Sequence, residues 1–361
     1  MSILATRTQE LRRKSPAVYE QLFKIPEAGA MQFYLDQTRL PNSLASSELK
    51  NATPGSMGNT VKVPVIIPNS EATVGSSRLC VVPNNETSTA LVGLSWVTLF
   101  DSFNMYPGRY LNNDIGYLEH FAANYQDLKK RVVKKIDQLC SADLATYKSA
   151  VVNDLLGYTF TGNTIAAGWN DRNDILDDLS VMQDSNNFGG GHLNIIGNYG
   201  MRSLIHRLGQ YGTYNEKNLT YELGNKTAYV TGQIANANDQ FCTMYAVPDG
   251  QVAILQRLDR ESYMRMSGVP GTEWDQVQIP GIDGITWGHY YYVEKGDASS
   301  VTGEADENCT KIEHFAFSVD LAFLHAYNPD TTNIPQPVIK AQLASGSNGR
   351  IEVDVKSMPE T

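Results

Sequence analysis

NDIGYLEHFAANYQDLKKRVVKKIDQLCSADLATYKSAVVN, residues 113–153, is the stretch with the clearest periodic pattern in the chain. Its apolar residues recur mostly three and four positions apart, which is the spacing of one face of an α-helix. These apolar positions are Ile115, Leu118, Ala122, Tyr125, Leu128, Val132, Ile136, Leu139 and Tyr147. Side chains that can cap a helix stand at its start, on Asn112, Asn113 and Asp114. The pattern predicts one long amphipathic helix over about 113–153.

The predicted helix is several times longer than an average one. About 35–40 residues at about 1.5 Å each give a rod of about 50–60 Å. The basic residues of its second half are expected on the face opposite the apolar stripe: Lys129, Lys130, Arg131, Lys134 and Lys135. Such a rod suits the backbone of a thin, extended subunit. A long helix in a globular enzyme and a coiled-coil strand remain the alternatives.

A β-strand pattern precedes the helix. TVKVPVII, residues 60–67, alternates and is rich in β-branched residues, but Pro64 has no backbone N–H, which favours an edge strand or an isolated ribbon. Residues 78–82 and 91–100 supply candidate return strands. A ribbon of two or three strands buries too little apolar surface to be stable alone in water. We therefore expect a neighbouring subunit to cover the ribbon over 60–100.

The N-terminal segment is predicted to be an arm. Its apolar residues have loosely helical spacing that Pro16 breaks and that ends near Pro26. Residues 1–24 carry an excess of basic side chains, on Arg7, Arg12, Arg13, Lys14 and Lys24 against Glu10 and Glu20. A solvated helix face and a contact with an acidic partner are both open interpretations. Like the ribbon, the arm is expected to lie on a neighbouring subunit, because it can bury little against its own chain.

The composition limits the partners of the chain. Its 361 residues suffice for two or three lobes with one continuous core, and they carry a formal charge of −10 with a pI near 5.1. Net acidity repels phosphate, which disfavours tight binding of nucleic acid over the whole surface. No apolar run reaches the length of a signal-peptide core or of a membrane span, so a chain made and used in a cytoplasm is predicted, without a membrane partner.

The cysteines do not form a recognisable site. Cys80, Cys140, Cys242 and Cys309 lie far apart, without a CxxC pair and without histidine at metal-ligand spacing. This spacing predicts neither a disulfide framework nor a zinc site. Cys140 falls on the apolar side of the predicted helix and is expected to be a small core residue.

Sequence patterns for catalysis and cofactor binding are absent where they would be expected. The chain has no HExxH motif and no GxSxG elbow, and the triple glycine at 189–191 lacks the following GK[ST] of a phosphate loop. Asp177 and Asp178 are interpreted as a solvated helix face. The acidic segment 294–307 is interpreted as an exposed loop, with a calcium site as the alternative. We therefore predict no catalytic, cofactor-binding or metal-ligating residue and no cofactor.

One aromatic run offers a different class of function. HYYY at 289–292 is the single hint of a carbohydrate-active or carbohydrate-binding protein. Alternating aromatic residues on a strand are more often packing or subunit interface than a sugar platform. The run is interpreted in that way, with sugar binding as the alternative.

Four stretches carry a resemblance to a known family. They are VKVPV at 61–65, LSWVTL at 94–99 with the segment 107–118, YAVPDGQVAIL at 245–255 within 241–257, and FSVD at 317–320 with AYN at 326–328 and PVIK at 337–340. Over about residues 1–345 the chain resembles a tailed-phage major capsid protein with the Hong Kong 97 fold, which encapsulin shells also have. The resemblance implies an α+β fold with an N-terminal arm, an extended E-loop β-hairpin, a long spine helix in a peripheral domain, and a mixed α/β axial domain.

The domain bounds implied by this resemblance follow the order of the elements. The arm would comprise residues 1–45, the E-loop 46–100, and the peripheral domain with the spine helix 101–160. The axial domain would comprise 161–325, and 326–361 would return to the peripheral domain and form a C-terminal tail.

The resemblance also implies a function and partners. It implies a major capsid protein that assembles with itself into hexamers and pentamers of an icosahedral head enclosing double-stranded DNA, in the virion and assembled in the host cytoplasm. Portal protein and packaged DNA, through non-specific contact, are implied partners, and a decoration protein is a further candidate. The candidates for the assembly interface are Lys62, Val63, Val65, Ile67 and Trp96 in the E-loop and Arg7, Arg12, Arg13 and Lys14 in the arm. An encapsulin-like cargo compartment is the alternative.

Two departures from the family pattern refine these expectations. Some members begin with a long helical scaffolding segment, whereas this sequence reaches its arm almost immediately, so a separate scaffolding protein is expected. Some members join an E-loop lysine to an asparagine of a neighbouring subunit. Lys62 lies in the corresponding loop, but an ordinary exposed lysine is the favoured interpretation.

Overall fold

The computed structural model describes residues 2–24, 27–45, 60–67, 88–110, 113–152, 156–160, 162–188, 191–208, 213–215, 220–236, 240–258, 272–295, 311–326 and 335–345. The chain forms two compact units. Unit 1 comprises residues 1–137 and 252–325, and unit 2 comprises 138–251 and 326–361. The division falls within the predicted long helix.

The described helices agree with the periodic patterns of the sequence. They are α1 (Ile3–Lys14), α2 (Pro16–Gln21), α3 (Gly29–Arg39), α4 (Asp114–Thr146), α5 (Ile175–Ser185) and α6 (Tyr199–Leu208), with short 3₁₀ helices at Pro107–Tyr110 and Trp169–Asn173. Pro16 is the first residue of α2, a position where its missing N–H costs nothing. The break that was predicted in the N-terminal segment is thereby confirmed.

The long helix α4 is confirmed, with a different end. It has 33 residues, which corresponds to about 50 Å at about 1.5 Å per residue. The Asn113 side chain accepts a hydrogen bond from the Gly116 N–H at 2.8 Å and so caps the first turn, as predicted. The helix ends at Thr146 rather than near 153, because the Ser149 N–H donates to the Val338 carbonyl at 2.7 Å instead of continuing the helical pattern.

Two residues of α4 depart from the predicted faces. Ile115 belongs to the predicted apolar stripe, but its side chain is exposed in the first turn. Lys129 was predicted on the solvated face, but it is buried, with 4% of its surface exposed. Its ammonium donates to the carbonyl oxygens of Leu22, Lys24 and Pro280. A long aliphatic stem lets lysine cross an apolar surface to reach such acceptors, which is why a polar residue can occupy this face.

The N-terminal arm packs on its own unit, so the prediction that it buries little against its own chain is wrong. Leu4, Leu11 and Leu22 are buried, and most of α3 is buried as well. The Ile3 N–H donates to Glu273 Oε2 at 3.0 Å, and the Met31 N–H donates to Asp137 Oδ1 at 2.9 Å. Leu4 and Leu11 lie two turns apart on one face of α1, and Leu22 directly follows α2.

The sheet of unit 1 is built around one long strand. Its strands are β3 (Val97–Met105), β11 (Val252–Arg257), β12 (Thr272–Gln278), β13 (Thr286–Lys295) and β14 (Lys311–His325). Every pair is antiparallel: β14 lies between β3 on one side and β13 and β11 on the other, and β12 pairs with β13. Alternate residues of β14 from Glu313 to Val319 are buried, which is the period-2 pattern of a strand with one covered face.

Aromatic rings fill the core between this sheet and α4. Phe103 of β3 stacks on Phe315 of β14, with ring centroids 5.0 Å apart. Phe121 of α4 meets Phe315 edge to face at 5.4 Å, and Tyr125 of α4 lies 5.7 Å from Phe317. Such pairs add about 0.5–1.5 kcal/mol each beyond their buried area. They hold the first part of α4 on the sheet.

The predicted ribbon is confirmed in part. Strands β1 (Thr60–Ile67) and β2 (Ser88–Ser95) form a two-stranded antiparallel sheet. The predicted return strand 91–100 is divided at Trp96, and its second part belongs to β3 in the sheet of unit 1. The ribbon therefore ends at Ser95 rather than at Phe100. The other candidate return strand, 78–82, lies outside the described residues.

Unit 2 contains an eight-stranded mixed sheet. Its strands, in spatial order, are β4 (Thr159–Phe160), β5 (Ile165–Ala167), β15 (Ile339–Ala344), β10 (Gln240–Pro248), β6 (Leu193–Gly197), β9 (Lys226–Val230), β8 (Thr220–Leu223) and β7 (Thr213–Asn215). The β5–β15 and β6–β9 pairs are parallel and the others antiparallel. Apolar residues of α5 and α6, such as Leu179 and Leu204, pack in one core with this sheet. The prediction of a buried Cys140 is confirmed.

The compact units divide the chain differently from the predicted domains. Residues 252–325 lie with the N-terminal segment in unit 1, whereas the predicted axial domain 161–325 includes them. The C-terminal strand β15 lies between β5 and β10 of unit 2, whereas 326–361 was assigned to the peripheral domain. The reason is the pairing of β14, whose neighbours β3, β11 and β13 join distant parts of the chain in one sheet.

Candidate assembly interface

The ribbon of β1 and β2 has a regular register. Eight residue pairs run from Thr60 opposite Ser95 to Ile67 opposite Ser88. Within the described part of the chain, β1 and β2 are hydrogen-bonded to each other and to no third strand. The backbone of Lys62, Val63, Val65 and Ile67 is described, and their side chains are not.

The pairing of the two strands places apolar residues opposite each other on one face of the ribbon. Val61 pairs with Leu94, Val63 with Val92, and Val65 with Ala90. Alternate residues of a strand share a face, so these three pairs occupy the same face. The intervening positions on the other face are mixed, with Thr60 opposite Ser95 and Lys62 opposite Gly93 as examples. The ribbon therefore has one face whose register positions are predominantly apolar.

Trp96 stands where the chain passes from the ribbon into the sheet of unit 1. It packs against a small core cluster of Ala45, Ala253, Leu255, Ala322 and Leu324. The guanidinium of Arg257 lies 4.5 Å from the centroid of its ring. Arg257 Nε in turn donates to Asp320 Oδ2 at 2.9 Å. Among the predicted interface residues, Trp96 thus has an internal role, in which it fixes the base of the ribbon to unit 1.

Strand β3 carries two exposed apolar side chains directly after Trp96, one on each face of the strand. The Val97 side chain is 38% exposed and the Phe100 side chain is 77% exposed. Within the described residues, β3 is hydrogen-bonded to β14 along one edge and to no strand along the other. The Phe100 side chain was not among the predicted interface residues. The signal in the sequence is the adjacent pair Leu99 and Phe100, since two consecutive strand residues cannot both face the core.

The basic residues of the arm are in two different environments. Arg7 contacts Glu10 Oε2 at 3.1 Å, and its guanidinium carbon lies 4.9 Å from the ring centroid of Tyr117. Lys14 contacts Asp114 Oδ2 at 3.2 Å. These two predicted interface residues therefore bind within their own unit.

Arg12 and Arg13 remain on the surface of the arm. Both side chains are exposed, and the Arg12 guanidinium lies 5.9 Å from the ring centroid of Tyr19. The last turn of α1 also favours cations, because the helix dipole is negative at this end. Arg12 and Arg13 thus belong to the exposed basic surface of the arm, together with Lys14 and Lys24.

A buried carboxylate lies beneath the arm. Glu313 of β14 accepts a hydrogen bond from the Tyr117 hydroxyl at 2.5 Å and another from Lys311 Nζ at 3.0 Å. Burial alone would raise the pKa of Glu313, but these two hydrogen bonds together with the positive charges of Lys311 and Arg7 outweigh burial and lower it. Burial and the hydrogen bond to Glu313 raise the pKa of Tyr117. Glu313 is therefore ionised at neutral pH and holds α4 and β14 together next to Arg7.

The aromatic run at 289–292 lies within the sheet of unit 1. His289 is fully buried, with its ring 4.9 Å from that of Phe317, and burial lowers its pKa to about 4. Tyr291 packs against Phe315 at 5.2 Å, and Tyr292 stacks on His314 at 4.3 Å. These contacts are packing contacts, as the interpretation of the run expected.

The described residues contain no group of three or more histidine, cysteine, aspartate or glutamate side chains that could hold a metal ion. Asp177 and Asp178 contact Lys226 and the Tyr158 hydroxyl, respectively. Most of the acidic segment 294–307 and two residues of the triple glycine, 189 and 190, lie outside the described residues. No described helix is both long and apolar enough to cross a membrane.

No family model and no curated protein matches the chain. Among solved structures, it is similar to one from Mycobacterium phage Che8, with 8% identity, 84% of this chain and 89% of that chain covered, and a TM-score of 0.45. It is also similar to one from Mycobacterium phage Bobi, with 11% identity, coverage of 90% and 94%, and a TM-score of 0.45. For the capsid of Ralstonia phage GP4 the identity is 9%, the coverage 82% and 86%, and the TM-score 0.44.

Proposed function

We propose that the chain is the major structural protein of a shell, and that it assembles into hexamers and pentamers of an icosahedral phage head that encloses double-stranded DNA. The observation that carries this proposal is the ribbon of β1 and β2, which pairs only with itself among the described strands. An isolated two-stranded ribbon is marginal in water. A second copy of the chain would supply the missing cover at every subunit of a closed assembly.

The apolar register face supports an interface of substantial size. Each strand has eight residues, so the ribbon is about 27 Å long at about 3.4 Å per residue. The exposed Phe100 follows the ribbon in sequence and adds an apolar side chain on the face of β3 that is turned away from the core. Obligate interfaces commonly bury about 2,000 Å² or more, and identical contacts repeated around a shell add to one another.

The two compact units suggest how the implied domains map onto the chain. Unit 1, with the arm and the first part of α4, is the candidate peripheral domain. Unit 2, with its mixed eight-stranded sheet and α5 and α6, is the candidate axial domain.

The arm is the candidate contact for an acidic partner. Arg12 and Arg13 are exposed, whereas Arg7 and Lys14 contact acidic side chains of their own unit. A separate scaffolding protein and packaged DNA are the proposed partners of these two arginines, and portal and decoration proteins are further proposed partners. The proposed location is the virion, after assembly in the host cytoplasm.

Expression of the full chain, followed by negative-stain microscopy and analytical ultracentrifugation, tests the proposal. We expect pentamers, hexamers or closed particles. A monomer of 39.9 kDa that persists at high concentration, with the ribbon amides protected from exchange, would overturn it. Nucleic acid inside closed particles supports a phage head, whereas a co-purified cargo enzyme would identify an encapsulin-like compartment instead.

A matched pair of variants assigns assembly to the ribbon. Val63 lies on the apolar register face, whereas Thr60 occupies a position of the other face. We expect Val63→Glu to block assembly, because a charge on the covered face is costly to bury without a partner. Thr60→Glu adds the same charge and should assemble. Both subunits should retain the helix signal of the unmodified chain in circular dichroism.

A further inference from the structure

The middle of α4 carries a basic face that the proposed assembly does not use. The run KKRVVKK at 129–135 contains five cations in seven residues. Val132 and Val133 of this run are buried, and Lys129 is buried as well. The other four cations are exposed on the surface of unit 1: Lys130, Arg131, Lys134 and Lys135. They lie within two turns of one helix, so their charges are concentrated on one part of the surface.

Three of these four exposed charges have no counterpart in the described part of the chain. Arg131 is neutralised by two carboxylates, since it contacts Asp101 Oδ2 at 2.8 Å and also Asp127. The ion pairs among the described residues include none to the three exposed lysines. Lys24 of the arm adds a further exposed cation beside this turn, because its carbonyl accepts a hydrogen bond from Lys129 Nζ at 2.7 Å.

The arrangement of these cations is unfavourable for the helix itself. Lys130 and Lys134 are four residues apart, as are Arg131 and Lys135, and like charges at this spacing destabilise a helix. Burial and, to a smaller extent, the charge of Lys130 lower the pKa of Lys129 to about 8. A local conflict that the described contacts do not offset is typical of a functional surface.

The composition of this face favours a phosphate backbone over a protein or a membrane. Protein interfaces are centred on apolar or aromatic anchors, and the exposed large apolar residue in the described part of α4 is Ile115. It lies about 22 Å from Lys130 along the helix axis. Insertion into a bilayer requires the apolar stripe of a helix, and here Leu128, Val132 and Ile136 are buried in their own chain. Phosphates require only cations within reach.

We propose that this face of α4 binds the phosphate backbone of duplex DNA through Lys130, Lys134 and Lys135, with Lys24 at its edge. Lys130 and Lys134 are about 6 Å apart along the helix axis. A duplex presents one phosphate charge per about 1.7 Å of its own axis, so each lysine meets a phosphate in any register. The contact is therefore independent of base sequence and dependent on salt. The charge of −10 on the whole chain restricts it to this local face.

DNA as the occupant of this face rests on the proposed function, because a phage head encloses a duplex. The two proposals fail separately. DNA binding is measured on unassembled subunits, whereas the shell is tested by particle formation. Particles that form from a chain whose lysine variants bind DNA normally would refute only this site. A persistent monomer that binds DNA through these lysines would refute only the shell.

Fluorescence anisotropy of a labelled duplex with full-length, unassembled subunits tests the site. A duplex of about 20 base pairs is longer than α4. We expect a Kd of about 100 µM or tighter at 50 mM salt. The triple variant Lys130→Gln, Lys134→Gln, Lys135→Gln should bind at least about tenfold more weakly. Its plot of log affinity against log salt should be less steep by about 3, since each lysine releases about one counterion. An unchanged affinity or an unchanged slope would overturn the proposal.

Two controls separate binding from a structural role of the lysines. Arg109→Gln removes one exposed charge just before α4 and should leave the salt slope unchanged, whereas Lys134→Gln should lower it by about 1. Equal effects of these two variants would contradict the assignment to this face. The triple variant should unfold at the same temperature as the unmodified chain or at a higher one, because it removes repulsion between like charges. A less stable triple variant would mean that the lysines support the fold instead.

Other polyanions distinguish the class of partner. Polyglutamate offers carboxylates on a flexible chain of lower charge density, and we expect it to bind at least about fivefold more weakly than the duplex. Vesicles of phosphatidylglycerol and phosphatidylcholine offer a phosphate-bearing membrane. Polyglutamate that binds as tightly as the duplex would assign the face to an acidic protein. Vesicles that bind through these lysines when the duplex does not would assign it to a membrane, and either result would overturn the proposal.

Discussion

The same prediction was made for the N-terminal arm and for the ribbon, but the structure covers only the arm with its own chain. Both were expected to find their cover on a neighbouring subunit. The arm buries Leu4, Leu11 and Leu22 within unit 1, whereas β1 and β2 are hydrogen-bonded only to each other among the described strands. The difference shows that the apolar side chains of short helices can be covered by their own chain. The ribbon, which has a proline in one strand, is hydrogen-bonded to no third strand among the described residues, and its cover is the basis of the proposed assembly.

The largest expected effect is on the free energy of unfolding of the subunit, which should fall for an arm variant and not for a ribbon variant. Leu11 is fully buried, so Leu11→Ala should lower the free energy of unfolding of the subunit by about 2–5 kcal/mol. Val63→Ala is the matched ribbon variant, and we expect it to change the same quantity by less than about 0.5 kcal/mol. Urea denaturation of unassembled subunits measures both. A ribbon variant as destabilising as the arm variant would remove the distinction.

Acid should destabilise the sheet on which the arm lies. The pKa of His289 is about 4 in the folded chain, because of burial, and 6.5 in the reference state. The unfolded chain therefore binds more protons between these values, and the free energy of unfolding falls as the pH falls from 6.5 to 4. The loss attributable to this histidine at pH 4 is about 3 kcal/mol.

His289→Phe should remove this part of the pH dependence, as denaturation between pH 4 and 7 would measure. The arm and the sheet should lose structure together, since Ile3 is hydrogen-bonded to Glu273 of β12. His192, which is partly buried in unit 2, is the control position, and His192→Phe should retain the acid loss. An unchanged pH profile in His289→Phe would show that this buried imidazole does not control the acid sensitivity.

The buried carboxylate beneath the arm gives an effect of intermediate size. Glu313→Gln should destabilise the subunit by about 1–3 kcal/mol at pH 7, because it weakens the hydrogen bonds from Tyr117 and Lys311. The pKa of Glu313 is lowered in the folded chain, so its stabilisation is present above the unfolded value of 4.5 and disappears as the pH falls through the folded value. Thermal unfolding of the two proteins should therefore converge in acid. Parallel curves at every pH would contradict this role.

The smallest expected effects distinguish two arginines within the arm. Arg7→Ala should cost about 0.5–1 kcal/mol of subunit stability, since it removes the contact with the Tyr117 ring. Arg13→Ala should leave stability unchanged, because its side chain is exposed, and should weaken binding of the acidic partner in a salt-dependent manner. Co-sedimentation with the scaffolding partner at two salt concentrations checks the second expectation. The reverse pattern would mean that Arg13, and not Arg7, is held by contacts within its own unit.

Periodic patterns in the sequence predicted the elements better than their partners. The apolar spacing identified α4, and the alternation in 60–67 identified β1 with the bounds that the structure has. The burial of Lys129 was not predictable, because its acceptors are carbonyl oxygens of Leu22, Lys24 and Pro280, which are distant in sequence. The division at Trp96 was missed for the same reason, since it depends on the pairing of β3 with β14.

For the candidate interface, the sequence predicted which residues form the strand β1 but not which arm side chains are available for a partner. Strand periodicity pointed to Lys62, Val63, Val65 and Ile67, and these residues are in β1. Charge alone suggested that all the arm's basic residues were available, whereas Arg7 and Lys14 contact acidic side chains of unit 1. Leu99 and Phe100 are adjacent, so only one of them can face the core. The register of β3 with β14 decides which of the two is exposed.

Hydrogen exchange of the ribbon in two states tests the central claim most directly. Mass spectrometry would follow peptides that cover β1 and β2 in unassembled subunits and in assembled particles, with peptides of α1 as the internal reference. We expect the ribbon amides to exchange at least about tenfold more slowly in particles, and the α1 amides to be protected in both states. Ribbon amides that are equally protected in the unassembled subunit would contradict the claim that a neighbouring copy covers the ribbon.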